Sequence, residues 1–135
     1  EAKVKGYKNF ANKLWNIARF VMSQENKGEL KQELVEEFQK LAKEVTEDME
    51  SYRLYLSAEK IYHYIWHRLA DEILEQSKKD PSLLPTLYYL LENSLKLLHP
   101  FMPFITEEIW QELKHEESLL MIEPWPFDKA QGKTI

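Results

Sequence analysis

The sequence contains no cysteine, and it has only three glycines and six prolines among 135 residues. Without thiols it can build neither a disulfide framework nor a thiolate zinc site, which favours an intracellular protein. So few glycines and prolines leave little room for the many turns of a β-rich fold. No apolar run approaches the roughly 18 residues that suggest a membrane span, and no signal-peptide pattern opens the chain.

Catalytic signatures are also missing. No serine stands in a nucleophile motif, and three isolated glycines cannot build a phosphate-binding loop. The chain begins at Glu1 rather than at methionine. We therefore expect a piece of a larger protein, itself without catalytic residues.

Charge is distributed unevenly. The formal net charge is −5, yet residues 1–22 hold five basic side chains against one acidic one, which gives +4 for that segment. A basic segment on an acidic body is the pattern of a local phosphate-contacting site, and a chance cluster on a solvated face explains it equally well.

Apolar residues recur at intervals of three and four nearly throughout the chain, which predicts helices. The first segment ends near Met22, and a second follows Gly28. A third runs from about Ser51 to Lys79, where Asp80-Pro81 stops it. A fourth begins near Pro81 or Pro85 and ends at Pro100, and a fifth runs from about Pro103 to about His115.

After the fifth segment, the stretch "SLLMIEPWPF" (118–127) loses the helical period. The prediction is an all-α fold, a single bundle of about five helices with a short extended C-terminal tail, forming one domain over residues 1–135.

On the first helix, a 100° step per residue separates an apolar face from a polar face. The polar face carries the amide and cationic side chains Asn9, Asn12, Lys13, Asn16 and Arg19, with Phe20 in their middle. Asparagine is a poor helix former, so three of them on one face need a reason. An aromatic ring among amides and cations suits unpaired nucleotides, and packing of the ring under another helix is the alternative.

Every fourth residue on the third helix is polar and titratable: Glu59, His63, His67, Asp71 and Glu75. Two histidines four residues apart on a helix can bind zinc. However, each four-residue step drifts by about 40° on an α-helix, so the row diverges. Tyr64 also stands where the metalloprotease helix has its glutamate. We expect a solvated polar row.

"HPFMPFITEEIW" (99–110) packs a histidine and two prolines into five positions. A histidine at a helix C-terminus interacts well with the last carbonyl groups and needs no chemistry for that role. We therefore expect His99 to mark a structural corner between two helices, and Trp110 to belong to the core.

Four blocks stand in the order found in one family: "GYKNFANKLWNIARFVM", "AEKIYHYIWHRLADEILEQSK", "LLENSLKLLHPFMPFITEEIWQEL" and "SLLMIEPWP". The chain resembles the anticodon-binding domain of class I aminoacyl-tRNA synthetases. The run from Asn12 to Asn16, with Arg19 and Phe20 after it, is most similar to the valyl members. The "LLHPFMPFITEE" block is shared with the isoleucyl and leucyl members.

The resemblance implies a bundle that grips the anticodon stem-loop of a tRNA, in the cytoplasm, beside the remaining synthetase domains. It implies contacts from the first helix, here Lys8, Asn9, Asn12, Lys13, Asn16, Arg19 and Phe20. The family's two catalytic motifs, His-Ile-Gly-His and Lys-Met-Ser-Lys-Ser, are missing from these 135 residues. Valine activation, ATP and Mg²⁺ are therefore expected on the parent protein, and no cofactor or metal is expected here. The alternatives are a helical protein-interaction module of the same fold and the equivalent domain of an isoleucyl- or leucyl-tRNA synthetase.

Overall fold

The computed structural model describes residues 2–114, 118–128 and 133–134. Its helices are α1 (Ala2–Met22), α2 (Gln32–Glu50), α3 (Leu54–His63), a π-helix (Tyr64–Leu74), α4 (Glu75–Lys79), α5 (Leu84–Leu98) and α6 (Pro103–Leu113). Short 3₁₀ turns cover Pro81–Leu83 and Leu120–Ile122. Strands β1 (Phe127–Asp128) and β2 (Lys133–Thr134) pair antiparallel, with Phe127 opposite Thr134.

α3, the π-helix and α4 form one continuous rod, called the third rod below, because the residues at both junctions keep helical backbone angles. With this rod counted once, the described residues form five long helical elements, and the all-α prediction is confirmed. The predicted end of α6 near His115 falls outside the described residues.

The turn between α2 and α3 explains why the third rod begins at Leu54 rather than Ser51. Tyr52 takes the left-handed conformation, with φ of 61°. The amides of Tyr52 and Arg53 donate to the carbonyls of Met49 and Asp48 at 3.0 Å and 2.7 Å. This is the bond pattern of a Schellman motif, which ends α2 and delays the next helix.

At the other end of the third rod, Asp80 is extended and its carboxylate accepts the amide of Ser82 at 3.1 Å. The predicted stop at Asp80-Pro81 is confirmed, because the residue before proline leaves the α region. Pro85 and Pro103 each lie in the first turn of a helix, where no amide donor is needed.

One hydrophobic cluster joins α1, α2, the third rod, α5 and α6. Its largest fully buried side chains are Leu14, Ile17, Phe38, Ile61, Ile65, Leu69, Ile73, Leu87, Leu90, Leu91, Leu95 and Trp110. The tail closes on this core: Phe127 is buried, and the indole of Trp125 donates to Thr46 on α2 at 2.8 Å.

Two helices flank the third rod in opposite senses. From the N-terminal to the C-terminal end of α1, the contacts are Phe10 with Tyr62, Lys13 with Asp71 and Phe20 with Lys78. Because the residue numbers rise together on both elements, α1 runs parallel to the rod. On α2 the order reverses, since Asp48 pairs with Lys60 and Glu37 with Arg68. The rod therefore has one side toward α1 and another toward α2.

Candidate nucleic-acid interface

α1 turns its predicted polar face outward. Lys8, Asn9, Asn12, Asn16 and Arg19 are exposed, whereas Lys13 and Phe20 are half-buried. The apolar face of the same helix lies in the core and consists of Phe10, Leu14, Ile17, Ala18 and Val21. The prediction from a 100° turn per residue, that the polar face of α1 lies away from the core, is confirmed for these exposed residues. Their role in binding stays a prediction.

The head group of Arg19 is held lightly. Its Nη1 donates to Asn16 Oδ1 at 3.3 Å, and its central carbon lies 5.5 Å from the centre of the Trp15 ring. Within the described part of the chain these are its two contacts, and both come from the same helix. A guanidinium without a carboxylate partner keeps most of its donors free for a ligand.

Lys13 reaches across to the third rod. Its Nζ lies 3.0 Å from Asp71 Oδ1 and 5.1 Å from the centre of the Trp66 ring. The side chains of Lys13 and Asp71 are 30% and 47% exposed. An ion pair this exposed stabilises a fold by about 0–1 kcal/mol, so an RNA phosphate can compete with Asp71 for the ammonium group.

Phe20 lies at the edge of the core. It packs against buried side chains and retains partial exposure, and the Nζ of Lys78 lies 5.8 Å from the ring centre. The sequence placed this ring in the middle of the polar face. In the structure the ring is half-buried against the core, with the Lys78 ammonium of α4 beside it.

The third rod supplies neighbours that the sequence did not indicate. The Tyr62 ring, 41% exposed, lies tilted against Phe10 with 4.7 Å between the ring centres, and Trp66 stacks on Tyr62 at 5.8 Å. Their four-residue spacing was visible in the sequence, but nothing local showed that Trp66 would lie beside Lys13. The polar face of α1 therefore has an aromatic neighbour on the π-helix.

Neighbouring members of the row of titratable residues on the third rod lie close to one another. The rings of His63 and His67 are 4.5 Å apart, and His67 Nδ1 is 3.7 Å from Asp71 Oδ2. Side chains four residues apart are neighbours on an α-helix too, so these contacts are the ordinary ones of a helix surface. All members of the row are exposed, which confirms a solvated polar row.

No group of three or more histidine, aspartate or glutamate side chains is placed to hold a metal ion in the part of the chain that the structure describes. Likewise, among those residues no helix has the length and apolar character to cross a membrane.

His99 is the structural corner that the sequence predicted. It ends α5, and its Nδ1 lies 2.9 Å from Thr106 Oγ1. The fully buried Thr106 hydroxyl donates to the carbonyl of Met102 at 2.7 Å, so the proton shared with the ring belongs to His99. Polar groups of this corner satisfy one another.

Glu107 extends the corner to the tail, a role that no sequence pattern indicated. Its carboxylate accepts the amides of Leu120 and Met121 at 2.9 Å and 3.2 Å, and the Gln111 side chain at 2.8 Å. Burial opposes the charged form, but these hydrogen bonds outweigh burial and hold the pKa of Glu107 below its usual value.

Comparison with known families settles the kinship of this chain. Residues 31–134 match the family described as "Anticodon-binding domain of tRNA ligase". The chain belongs to this family. The matched span begins one residue before α2, so the predicted contact residues on α1 lie outside it.

Relatives extend the similarity to α1. The anticodon-binding domain is 37% identical to the valine–tRNA ligase of Carboxydothermus hydrogenoformans over 95% of this chain and 17% of that protein. It is 35% identical to that of Clostridium perfringens, again over 95% and 17%. The valine–tRNA ligase of Thermotoga maritima is 37% identical over 89% and 16%.

The first two alignments each cover 95% of this chain, so the part left unaligned is too short to contain the 21 residues of α1. In each case the chain spans only about a sixth of the length of the relative.

Proposed function

We propose that this domain binds the anticodon stem-loop of a tRNA through the exposed polar face of α1. The parent protein would ligate valine to that tRNA in the cytoplasm, using ATP and Mg²⁺ at sites on its other domains. The observation that carries the proposal is the outward face of α1 in a member of the anticodon-binding family. Among the described residues, Asn16 and Arg19 bond to each other, and none of the five exposed amide and cationic side chains is paired with another helix.

Each side-chain type on the face has a chemical role toward an unpaired nucleotide. The amides of Asn9, Asn12 and Asn16 carry a paired donor and acceptor that fit a base edge. Arg19 can test a base edge or take a phosphate with its free donors. The lysines Lys8 and Lys13 neutralise phosphate, and the partly exposed ring of Phe20 offers a stacking surface.

Valine is the proposed amino acid because the relatives above are valine–tRNA ligases. The "LLHPFMPFITEE" block does not separate valine from isoleucine or leucine, and the structure assigns this block to the corner between α5 and α6. The discriminating residues are thus expected on α1.

The test is a titration of the chain with valine, isoleucine and leucine anticodon stem-loops at two salt concentrations. The proposal predicts binding that weakens with salt and is tightest for the valine loop. Equal binding of all three loops would remove the valine assignment and keep the RNA-binding one. A folded chain that binds none of them at low salt would contradict both.

A helical protein-interaction module is the second candidate, and the turn between α2 and α3 favours it. Tyr52, Leu54 and Tyr55 are 91%, 52% and 76% exposed there. Large apolar side chains exposed together mark interaction surfaces. This candidate predicts no salt-sensitive RNA binding, so the same titration separates the two.

A further inference from the structure

Lys78 on α4 lies at the end of the α1 polar face, next to the ring that is proposed to stack a base. Its Nζ is 5.8 Å from the centre of the Phe20 ring. α4 reaches this position because the third rod runs parallel to α1, so that the C-terminal ends of both helices meet. Nothing in the sequence pattern of the first helix indicates a contact from another helix.

The two contacts of Lys78 are weak and reversible. Its ammonium is 3.0 Å from Glu75 Oε2, three residues earlier on α4, and the two side chains are 50% and 57% exposed. Solvent screens an ion pair of this kind, and a cation over a half-buried ring at this distance contributes about 0.5–1 kcal/mol. The long flexible lysine stem lets the ammonium move without any change in the helix.

A base and the Lys78 ammonium cannot occupy the same side of the Phe20 ring. The ring is half-buried against the core, and the Lys78 ammonium lies over it, 5.8 Å from its centre. A base that stacks there must displace the ammonium. The displaced charge would then lie within reach of the phosphate of that same nucleotide, which is the strongest anion nearby.

We propose that Lys78, on α4, is a phosphate ligand of the RNA site. Its ammonium group rests on the Phe20 ring in the free protein and moves to the phosphate of the nucleotide that stacks on Phe20. This inference rests on the proposed function and extends the RNA site from α1 to α4. Glu75 acts as the competing anion that holds Lys78 in the free state.

Lys78→Ala tests this role in titrations with the valine anticodon stem-loop across a series of salt concentrations. We expect weaker binding and a slope of log K against log salt that is shallower by about 0.7–0.9, the value for one lost phosphate contact. Lys78→Arg should retain the slope, because it keeps the charge. Glu75→Gln should tighten binding, since it removes the anion that competes with phosphate.

Lys43→Ala is the matched control. Lys43 is an exposed lysine on α2, which packs against a different side of the third rod. The substitution removes the same charge far from Phe20 and should leave the slope unchanged. Equal losses from Lys78→Ala and Lys43→Ala would show a diffuse charge effect and overturn the inference.

The remaining outcomes separate this inference from the proposed function. If the unsubstituted chain binds the stem-loop and Lys78→Ala binds equally or more tightly, Lys78 only covers the ring and the inference is wrong. If the unsubstituted chain binds no stem-loop at all, the proposed function and this inference fail together. Circular dichroism checks that each variant is folded. We expect all of them to fold, because an exposed lysine side chain contributes little to the stability of the fold.

Discussion

The corner at His99 and the polar face of α1 both looked like possible active regions in the sequence, and the structure separates them by where their polar groups find partners. In the corner, His99, Thr106 and Glu107 bond to groups of the same chain, and Thr106 is fully buried. On α1, Asn12, Asn16 and Arg19 are exposed. Polar side chains thus serve the fold in one region and remain exposed to solvent in the other.

This difference gives a practical criterion. A buried polar group must be satisfied within the protein, because an unmet hydrogen bond there is costly. An exposed cation such as Arg19, which is held by an amide and a ring, does not have to be satisfied within the protein. Its presence is therefore explained either by a ligand or by chance. Substitutions in the corner should therefore change stability, and substitutions on α1 should change binding.

Thr106→Val should destabilise the corner more than any other single substitution in it. It leaves the half-buried His99 ring nitrogen without its hydroxyl partner at the fully buried position 106, while the Met102 carbonyl keeps only the backbone amide of residue 106. We expect a loss of about 1–3 kcal/mol in the free energy of unfolding, measured with urea. Thr106→Ser keeps the hydroxyl and should lose much less. An unchanged free energy for the valine variant would show that the corner is not held by this bond.

Arg19→Ala should weaken the binding of the valine stem-loop by about 1–3 kcal/mol, the range for one lost base contact. Its effect on unfolding should stay within about 0.5 kcal/mol, since the side chain is exposed. Arg53→Ala is the converse control, because Arg53 donates at 2.9 Å to the buried Asp48. That variant should lose stability and keep its RNA affinity. A loss of stability in Arg19→Ala together with a loss of RNA affinity in Arg53→Ala would contradict this division between binding and stability.

Lys13→Ala should have a smaller effect that is shared by all three stem-loops. A phosphate contact carries no sequence information, so cognate and non-cognate loops should weaken alike, with the salt slope lower by about one unit. Asp71→Asn, which frees Lys13 from its partner, should bind at least as tightly as the original chain. A loss restricted to the valine loop would instead make Lys13 a specificity residue.

The smallest effect concerns acid stability. The pKa of Glu107 is lowered in the folded chain, so its hydrogen bonds stabilise the fold above the usual glutamate range and are lost as pH falls through the lowered pKa. Glu107→Gln should therefore flatten the acid limb of a plot of stability against pH. Unfolding measured from neutral to acidic pH checks this, and an unaltered limb would assign the acid sensitivity to other carboxylates.

The helices were predictable because their signals are local. The apolar period, the stop at Asp80-Pro81 and the prolines in first turns act within a few residues of one another. The face of α1 that points outward followed from the same period. Five of its predicted contact residues are exposed, whereas Lys13 and Phe20 are half-buried.

What the sequence could not show depends on distance along the chain and on backbone geometry. Lys13 and Asp71 are 58 residues apart, and the parallel course of α1 and the third rod brings them together. The π-helix was hidden because its angular step differs from the 100° of an α-helix. Lys78 beside Phe20, like Asp71 beside Lys13, depends on a contact between distant parts of the chain.

The central claim, that α1 and the end of α4 form the RNA surface, is tested most directly by amide chemical shifts of the labelled chain during titration with the valine anticodon stem-loop. The account predicts that the largest changes lie between residues 8 and 20, with a second group at 75–79. Changes concentrated at 52–56, with α1 unaffected, would contradict the account and move the contact surface to the turn between α2 and α3.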